Sequence, residues 1–132
     1  MSEENVSIVR GMYEAFGRGE IPSVIAALDP LVEWWEAENF IYADGNPYIG
    51  PQSVLEGVFL RIVSNWNDFT VTPEAILDAG DRVVTLGIYG GTFKGTGKTV
   101  RAQMVHVFTI ENEKVVKFQQ YTDTKQFADA VQ

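Results

Sequence analysis

The sequence predicts an α+β domain in which helices pack on one face of a curved sheet. Three observations carry that expectation. In the first half of the chain apolar residues recur at the spacing of one helical face, as in Val6, Val9, Met12, Tyr13 and Phe16. From Phe69 onward the pattern changes to that of strands, separated by turns rich in glycine, asparagine and aspartate. The resulting order is helix, helix, strand, helix and then an antiparallel meander, with no linker, repeat or low-complexity stretch.

Each element has a local reason. Ser2 can cap the first helix, and Gly17 and Gly19 end it. Pro22 suits the first turn of a second helix through Leu28, which Asp29-Pro30 stops. Leu31 to Ala37 reads as a strand carrying two adjacent tryptophans, followed by a loop from Asn39 to Gly50 with turn chemistry at Asp44-Gly45-Asn46-Pro47. Pro51 opens a third helix whose Val54, Val58, Phe59, Ile62 and Trp66 share a face. Four strands follow, at Phe69–Leu77, Val83–Phe93, Thr99–Ile110 and Val115–Thr122, and a small helix over Thr124–Val131 closes the chain. Gly87, Gly90 and Gly91 mark a bulge or sharp bend in the second of these strands.

Composition narrows the function. The 132 residues, 45% hydrophobic and 21% charged, suit one domain over residues 1–132 with a core that needs neither metal nor disulfide. Eighteen acidic residues against ten basic give a net charge of -8, which repels phosphate backbones and disfavours anionic membranes. No nucleic-acid or membrane partner is expected. The absence of cysteine excludes disulfides, thiolate metal sites and cysteine nucleophiles. The first residues carry no basic and apolar leader pattern, and no apolar run nears the roughly 18 residues of a span, so a cytoplasmic protein is expected.

One motif misleads. Gly95-Thr96-Gly97-Lys98-Thr99 has the look of a phosphate-binding loop, yet the position five before Gly97 is Thr92 and a strand follows where a helix is needed. A hairpin turn is the better reading. The single histidine has no carboxylates at ligand spacing, so neither metal nor other cofactor is expected.

Three segments carry a family likeness: Tyr13 to Glu20 (YEAFGRGE), Ala27 to Glu36 (ALDPLVEWWE) and Val105 to Tyr121 (VHVFTIENEKVVKFQQY). With the element order, they resemble the SnoaL-like branch of the nuclear transport factor 2-like superfamily. That group holds polyketide cyclases, ketosteroid isomerase and limonene epoxide hydrolase, and the resemblance spans residues 5–125. It implies a cone-shaped fold with a curved mixed or antiparallel sheet, three helices from the first half of the chain covering it, and an apolar pocket inside. It also implies a homodimer through the convex sheet face and a small apolar molecule as ligand. By period two, Met104, His106 and Phe108 would line the pocket while Val105 and Val107 face the dimer partner.

The resemblance also places chemistry. Glu36 falls on the position of the isomerase general base, and His106 on that of an oxyanion-hole donor. A carboxylate in an apolar pocket has its pKa raised toward neutrality, and an imidazole can donate a hydrogen bond to an enolate oxygen. The isomerase tyrosine falls at Met12, with Tyr13 one position away. Trp34, Phe59, Trp66 and Phe118 either pack as core or form an aromatic wall for a ligand. Tyr42 and Tyr48 sit in the loop over the pocket mouth, and Gln120 either fixes the histidine tautomer or touches ligand. Asp123, the late acid of the cyclase pattern, should face outward. The epoxide hydrolase pattern is poorly matched, since Gln103 stands where an acid is wanted near Arg101.

Two readings follow. Either Glu36 and His106 catalyse proton transfer beside a carbonyl in an isomerase- or cyclase-like reaction, or the chain is a non-catalytic binding or dimerisation domain. In the second case Glu36 is a solvated strand end and His106 a satisfied core group.

Overall fold

The computed structural model describes residues 2–132; the side chain of Ser2, expected to cap the first helix, lies outside the described residues. Helix α1 (Ser2–Gly17) and the short α2 (Ile21–Ala26) lead into strand β1 (Leu28–Trp35). A 3-10 turn (Ala43–Gly45) and a two-residue strand β2 (Tyr48–Ile49) precede a helical segment made of α3 (Pro51–Val54), a π-helical turn (Leu55–Phe59) and α4 (Leu60–Asn65). Then come β3 (Trp66–Ala79), β4 (Arg82–Phe93), β5 (Thr99–Glu111), β6 (Lys114–Thr122) and a closing helix α5 (Thr124–Ala130).

The six strands form one sheet in the order β2-β1-β6-β5-β4-β3. The last four are the expected antiparallel meander, and β1 joins it parallel to β6. Helix α1 packs along β3 and β4, and α5 packs on β5. Alternation decides which side chains meet in the interior. On β4 it buries Val83, Thr85, Gly87 and Tyr89, and on β5 Ala102, Met104, His106 and Phe108.

Four local features depart from the sequence reading. Strand β1 starts at Leu28, so Asp29-Pro30 lies in it as an irregularity: pairing with β6 breaks between Leu28 and Glu33, because proline has no N–H for the ladder. Trp66 is extended and opens β3 instead of ending a helix. The third helix is interrupted by its π-turn, where Gly57 leaves room for the ring of Tyr48. The short β2 had no signal beyond Tyr48-Ile49 itself.

Elsewhere the expectations hold. Gly97 takes a positive φ of 75° in the β4–β5 hairpin, and its N–H bonds the Phe93 carbonyl at 2.8 Å, so the glycine-rich stretch is a turn. At Gly87 a Cβ would stand 2.5 Å from the Thr72 carbonyl oxygen and 2.6 Å from Cε of Met104. Only glycine lets β3 and β4 approach there, beside an irregularity in β3 between Pro73 and Ala75.

Candidate functional site

The interior of the sheet and the helices enclose a cavity of about 60 Å³. Its wall is aromatic and aliphatic, and only a few polar side chains interrupt it: Glu36, Tyr13, His106, Tyr89 and Gln120. A water needs roughly 10–15 Å³ of such space, so the cavity is several times that minimum.

Glu36 arrives there by strand parity. Val32, Trp34 and Glu36 point inward in turn, and Glu36 is only 3% exposed. Its backbone is fixed by the Asn46 side chain, which accepts from the Glu36 N–H at 2.8 Å and donates to its carbonyl at 2.8 Å. One amide thus does what a neighbouring strand would do just beyond the end of β1. The carboxylate accepts a hydrogen bond from Trp34 Nε1 at 3.3 Å. Burial raises its pKa from 4.5 to about 8, against smaller opposing effects of that bond and of the Arg61 charge. At neutral pH the acid is therefore mostly protonated.

His106 lies in the middle of β5 opposite Thr85 on β4 and Gln120 on β6. Its ring stacks on Tyr13 with centroids 5.9 Å apart and meets Phe118 edge-on at 4.9 Å. Burial lowers its pKa from 6.5 to about 3, so the imidazole stays neutral. Both ring nitrogens are engaged: Nδ1 lies 2.7 Å from the Tyr13 hydroxyl, and Nε2 makes a short hydrogen bond with the Tyr89 hydroxyl. The expectation that His106 donates directly to a ligand is therefore corrected, because no ring nitrogen is left free.

Gln120 completes the polar row. Its Oε1 accepts from the Ala37 N–H at 3.0 Å and its Nε2 donates to the Tyr89 hydroxyl at 2.9 Å. It acts on the histidine one tyrosine removed, not by the direct contact expected. Burial also raises the pKa values of Tyr13 and Tyr89 above the ordinary 10.0, so both remain phenols.

Among the expected ligand-facing residues, Met12, Tyr13, Trp34, Phe59, Phe108, Phe118 and Gln120 line the cavity. Trp34 and Phe118, paired across the parallel β1–β6 ladder, stack with centroids 3.8 Å apart and form one wall. Trp66, Tyr42 and Met104 do not line it. Because Trp66 opens β3, its ring turns to Phe93 and Phe127, and its Nε1 donates to the Tyr42 hydroxyl at 3.0 Å. Tyr42 is held by that bond and by Arg61, whose guanidinium lies 4.3 Å above its ring. Met104 fills the space left by Gly87. Asp123 is exposed and accepts from Gln126, while Arg101 and Gln103 are exposed on β5, so neither the cyclase acid nor an epoxide-hydrolase pair faces the cavity.

Sequence reasoning missed Tyr89 and Asn46. Period two along β4 carries the signal for Tyr89, since it shares parity with Val83 and Thr85, but the surrounding glycines obscured it. Asn46 read as ordinary turn chemistry, and nothing local ties it to Glu36.

A SnoaL-like domain matches residues 9–118, most of the chain. The protein belongs to the SnoaL-like family. Its fold is the cone-shaped nuclear transport factor 2-like fold. It is similar to such a protein from Burkholderia thailandensis, at 34% identity with 97% of each chain covered and a TM-score of 0.92. A second, from Burkholderia pseudomallei and of unknown function, is 29% identical over 97% of each chain, with a TM-score of 0.88. TerC, crystallised with polyporic acid, is 23% identical over 97% of this chain and 98% of its own, with a TM-score of 0.86. A search of curated proteins finds no match.

The two buried titrating groups give this SnoaL-like domain a definite pH dependence. Folded Glu36 keeps its proton to about pH 8 while the unfolded chain loses it near 4.5, so its stabilising effect falls as pH rises across that interval. Folded His106 refuses a proton that the unfolded chain accepts near 6.5, so stability falls as pH drops from there through about 3. The Glu36 shift corresponds to about 5 kcal/mol. Thermal unfolding midpoints should accordingly stay nearly level from pH 5 to about 6.5 in the wild type, where the two effects offset, and decline from there to about 8, whereas in Glu36→Gln they should rise to about pH 6.5 and then level; parallel profiles would contradict the burial of a titrating carboxyl.

Proposed function

We propose that the protein binds a small apolar metabolite in this cavity and transfers a proton beside its carbonyl group, in an isomerase- or cyclase-like reaction. The observation that carries the proposal is the meeting of Glu36 and the tyrosine-bracketed His106 in one apolar enclosure. In its ionised form Glu36 takes a proton from carbon next to the carbonyl, and the electron pair moves to oxygen as an enolate. A hydroxyl of the polar row, of Tyr13 or Tyr89, donates to that oxygen in a medium of low dielectric constant, where such bonds are strong. The protonated Glu36 then returns the proton at another carbon, or the enolate carbon attacks a second carbonyl, whose oxygen takes the proton back from Glu36. Polyporic acid bound to TerC, on the same fold, supports a small organic ligand.

Proton exchange with solvent tests this without a known substrate. Cyclohexanone in deuterium oxide should exchange its α-hydrogens faster with wild-type protein. The rate should climb with pH toward a plateau above about 8, where Glu36 is ionised. Glu36→Gln should lose about 10²–10⁴-fold of that acceleration while binding the ketone within a few-fold. Equal exchange in the variant, or binding by wild type with no exchange, would leave only a non-catalytic binding domain.

We further propose that two copies pair through the outer face of the sheet. Leu86 is 40% and Tyr121 55% exposed there, and Ile88, Val105 and Val107 are half-buried beside them. Light scattering should give twice the 14.7 kDa chain mass, and Leu86→Glu with Tyr121→Glu should return it to one. A wild-type monomer would refute the pairing.

A further inference from the structure

Glu36 is a buried acid with half of its carboxylate unused. Its side chain is held by one hydrogen bond, which Oε2 accepts from Trp34 Nε1 at 3.3 Å, and Oε1 has no partner among the described residues. The Thr85 hydroxyl is the one buried side-chain polar atom there that is fully shut in without a partner, so Oε1 opens on to the cavity that Glu36 lines. No lysine or arginine lines the wall to meet it. The cation whose charge does reach Glu36 is Arg61 of α4, and it is paired with Asp44 at 2.7 Å and lies over the ring of Tyr42.

What surrounds the carboxyl instead is aromatic. Nine of the 17 lining residues are Phe, Tyr or Trp. Rings reach the cavity from α1 (Tyr13), the π-turn (Phe59), β1 (Trp34), β3 (Phe69), β4 (Tyr89) and β6 (Phe118). An aromatic ring attracts a cation to its face, most strongly where water is excluded. A buried charge is costly unless it is paired, so a carboxylate and an organic cation would each supply what the other lacks.

The donor set selects the kind of cation. A metal ion needs several oxygen or nitrogen ligands, and no group of three such side chains able to hold one occurs among the described residues. A primary ammonium has three N–H groups to satisfy, while the hydroxyls and the amide of the wall are already bonded within the polar row. An alkylated ammonium asks for one hydrogen bond or none and presents carbon to the rings.

We propose that the cavity is also a binding site for small alkylated ammonium ions, which pair with Glu36 Oε1 inside an aromatic enclosure. This goes beyond the function proposed above: it shares Glu36 and the cavity with that reading but requires no proton transfer to carbon. Around Glu36, Tyr13 from α1, Tyr89 from β4 and His106 from β5 stay neutral from about pH 6 to 9.5, and Arg61 stays paired with Asp44. Trp34 of β1 and Gln120 of β6 do not titrate. Glu36 alone changes charge across that range, with its midpoint at about 8, and a cation entering below that pH displaces its proton to solvent.

Choline and 3,3-dimethylbutan-1-ol serve as probes, because they share one shape and differ by a positive nitrogen in place of carbon. Calorimetry should show choline affinity for wild type rising about tenfold per pH unit up to about 8 and levelling above. About one proton should leave per choline bound near pH 6.5, and almost none near 9.5. The alcohol should show no such slope. At about pH 9.5, Glu36→Gln should weaken choline at least about tenfold and the alcohol by less than about twofold. Choline held only by the acidic surface would bind the variant as well as wild type, and would be lost in about 1 M salt, where charges are screened within about 3 Å. That result, an affinity independent of pH, or no choline binding at pH 9.5 would overturn the proposal. Should Glu36→Gln fail to fold, the slope and the proton count in wild type still decide. Choline binding of the expected kind without α-hydrogen exchange in cyclohexanone would overturn only the proton transfer, and exchange without choline binding only the cation site.

Discussion

The Gln120 side-chain amide joins the two halves of the site. Its oxygen holds the backbone at Ala37, immediately after Glu36, and its nitrogen holds Tyr89, which holds His106. The carboxyl end and the imidazole end of the cavity are thereby set relative to one another through a buried group on a third strand. Such a chain is stable only when every member is satisfied, because an unpaired buried polar atom costs about 1–3 kcal/mol. Three of the five strands that line the cavity contribute to it: β6 through Gln120, β5 through His106 and β4 through Tyr89. Helix α1 contributes Tyr13. Removing the amide would release both ends at once.

Around this chain the apolar wall sets the chemistry. The same desolvation acts on an acid and on a base with opposite results, raising Glu36 to about 8 and lowering His106 to about 3. Both groups are neutral near pH 7, which is how a cavity so poor in countercharge holds them. A carboxyl near its midpoint in mildly alkaline solution can both take and return a proton. Trp34, stacked on Phe118 and bonded to Glu36 through its indole N–H, belongs to both the wall and the polar site.

Much of this was legible in the sequence because it follows from periodicity. Parity along β5 and β6 placed His106, Phe108, Phe118 and Gln120 inside and Asp123 outside, and parity along β1 placed Trp34 and Glu36. What was not legible depends on contacts between distant segments. Trp66 looked like the last apolar residue of a helical face, and only the extended backbone at that residue turns its ring elsewhere. Asn46 lies ten residues from the backbone it pins, in a loop whose path no local pattern specifies. His106 was read as a donor because it falls on the oxyanion-hole position of the isomerase pattern; the tyrosines that occupy its nitrogens come from α1 and β4.

The central claim is that a carboxyl group sits inside the protein, neutral at physiological pH, facing an apolar cavity. An infrared titration of the carboxyl stretch in wild type against Glu36→Gln measures it directly. The account predicts a protonated carboxylic-acid band that is present at pH 6–7, absent from the variant, and lost with a midpoint near 8. A difference spectrum showing Glu36 ionised by pH 5–6, as an exposed glutamate would be, would contradict the account.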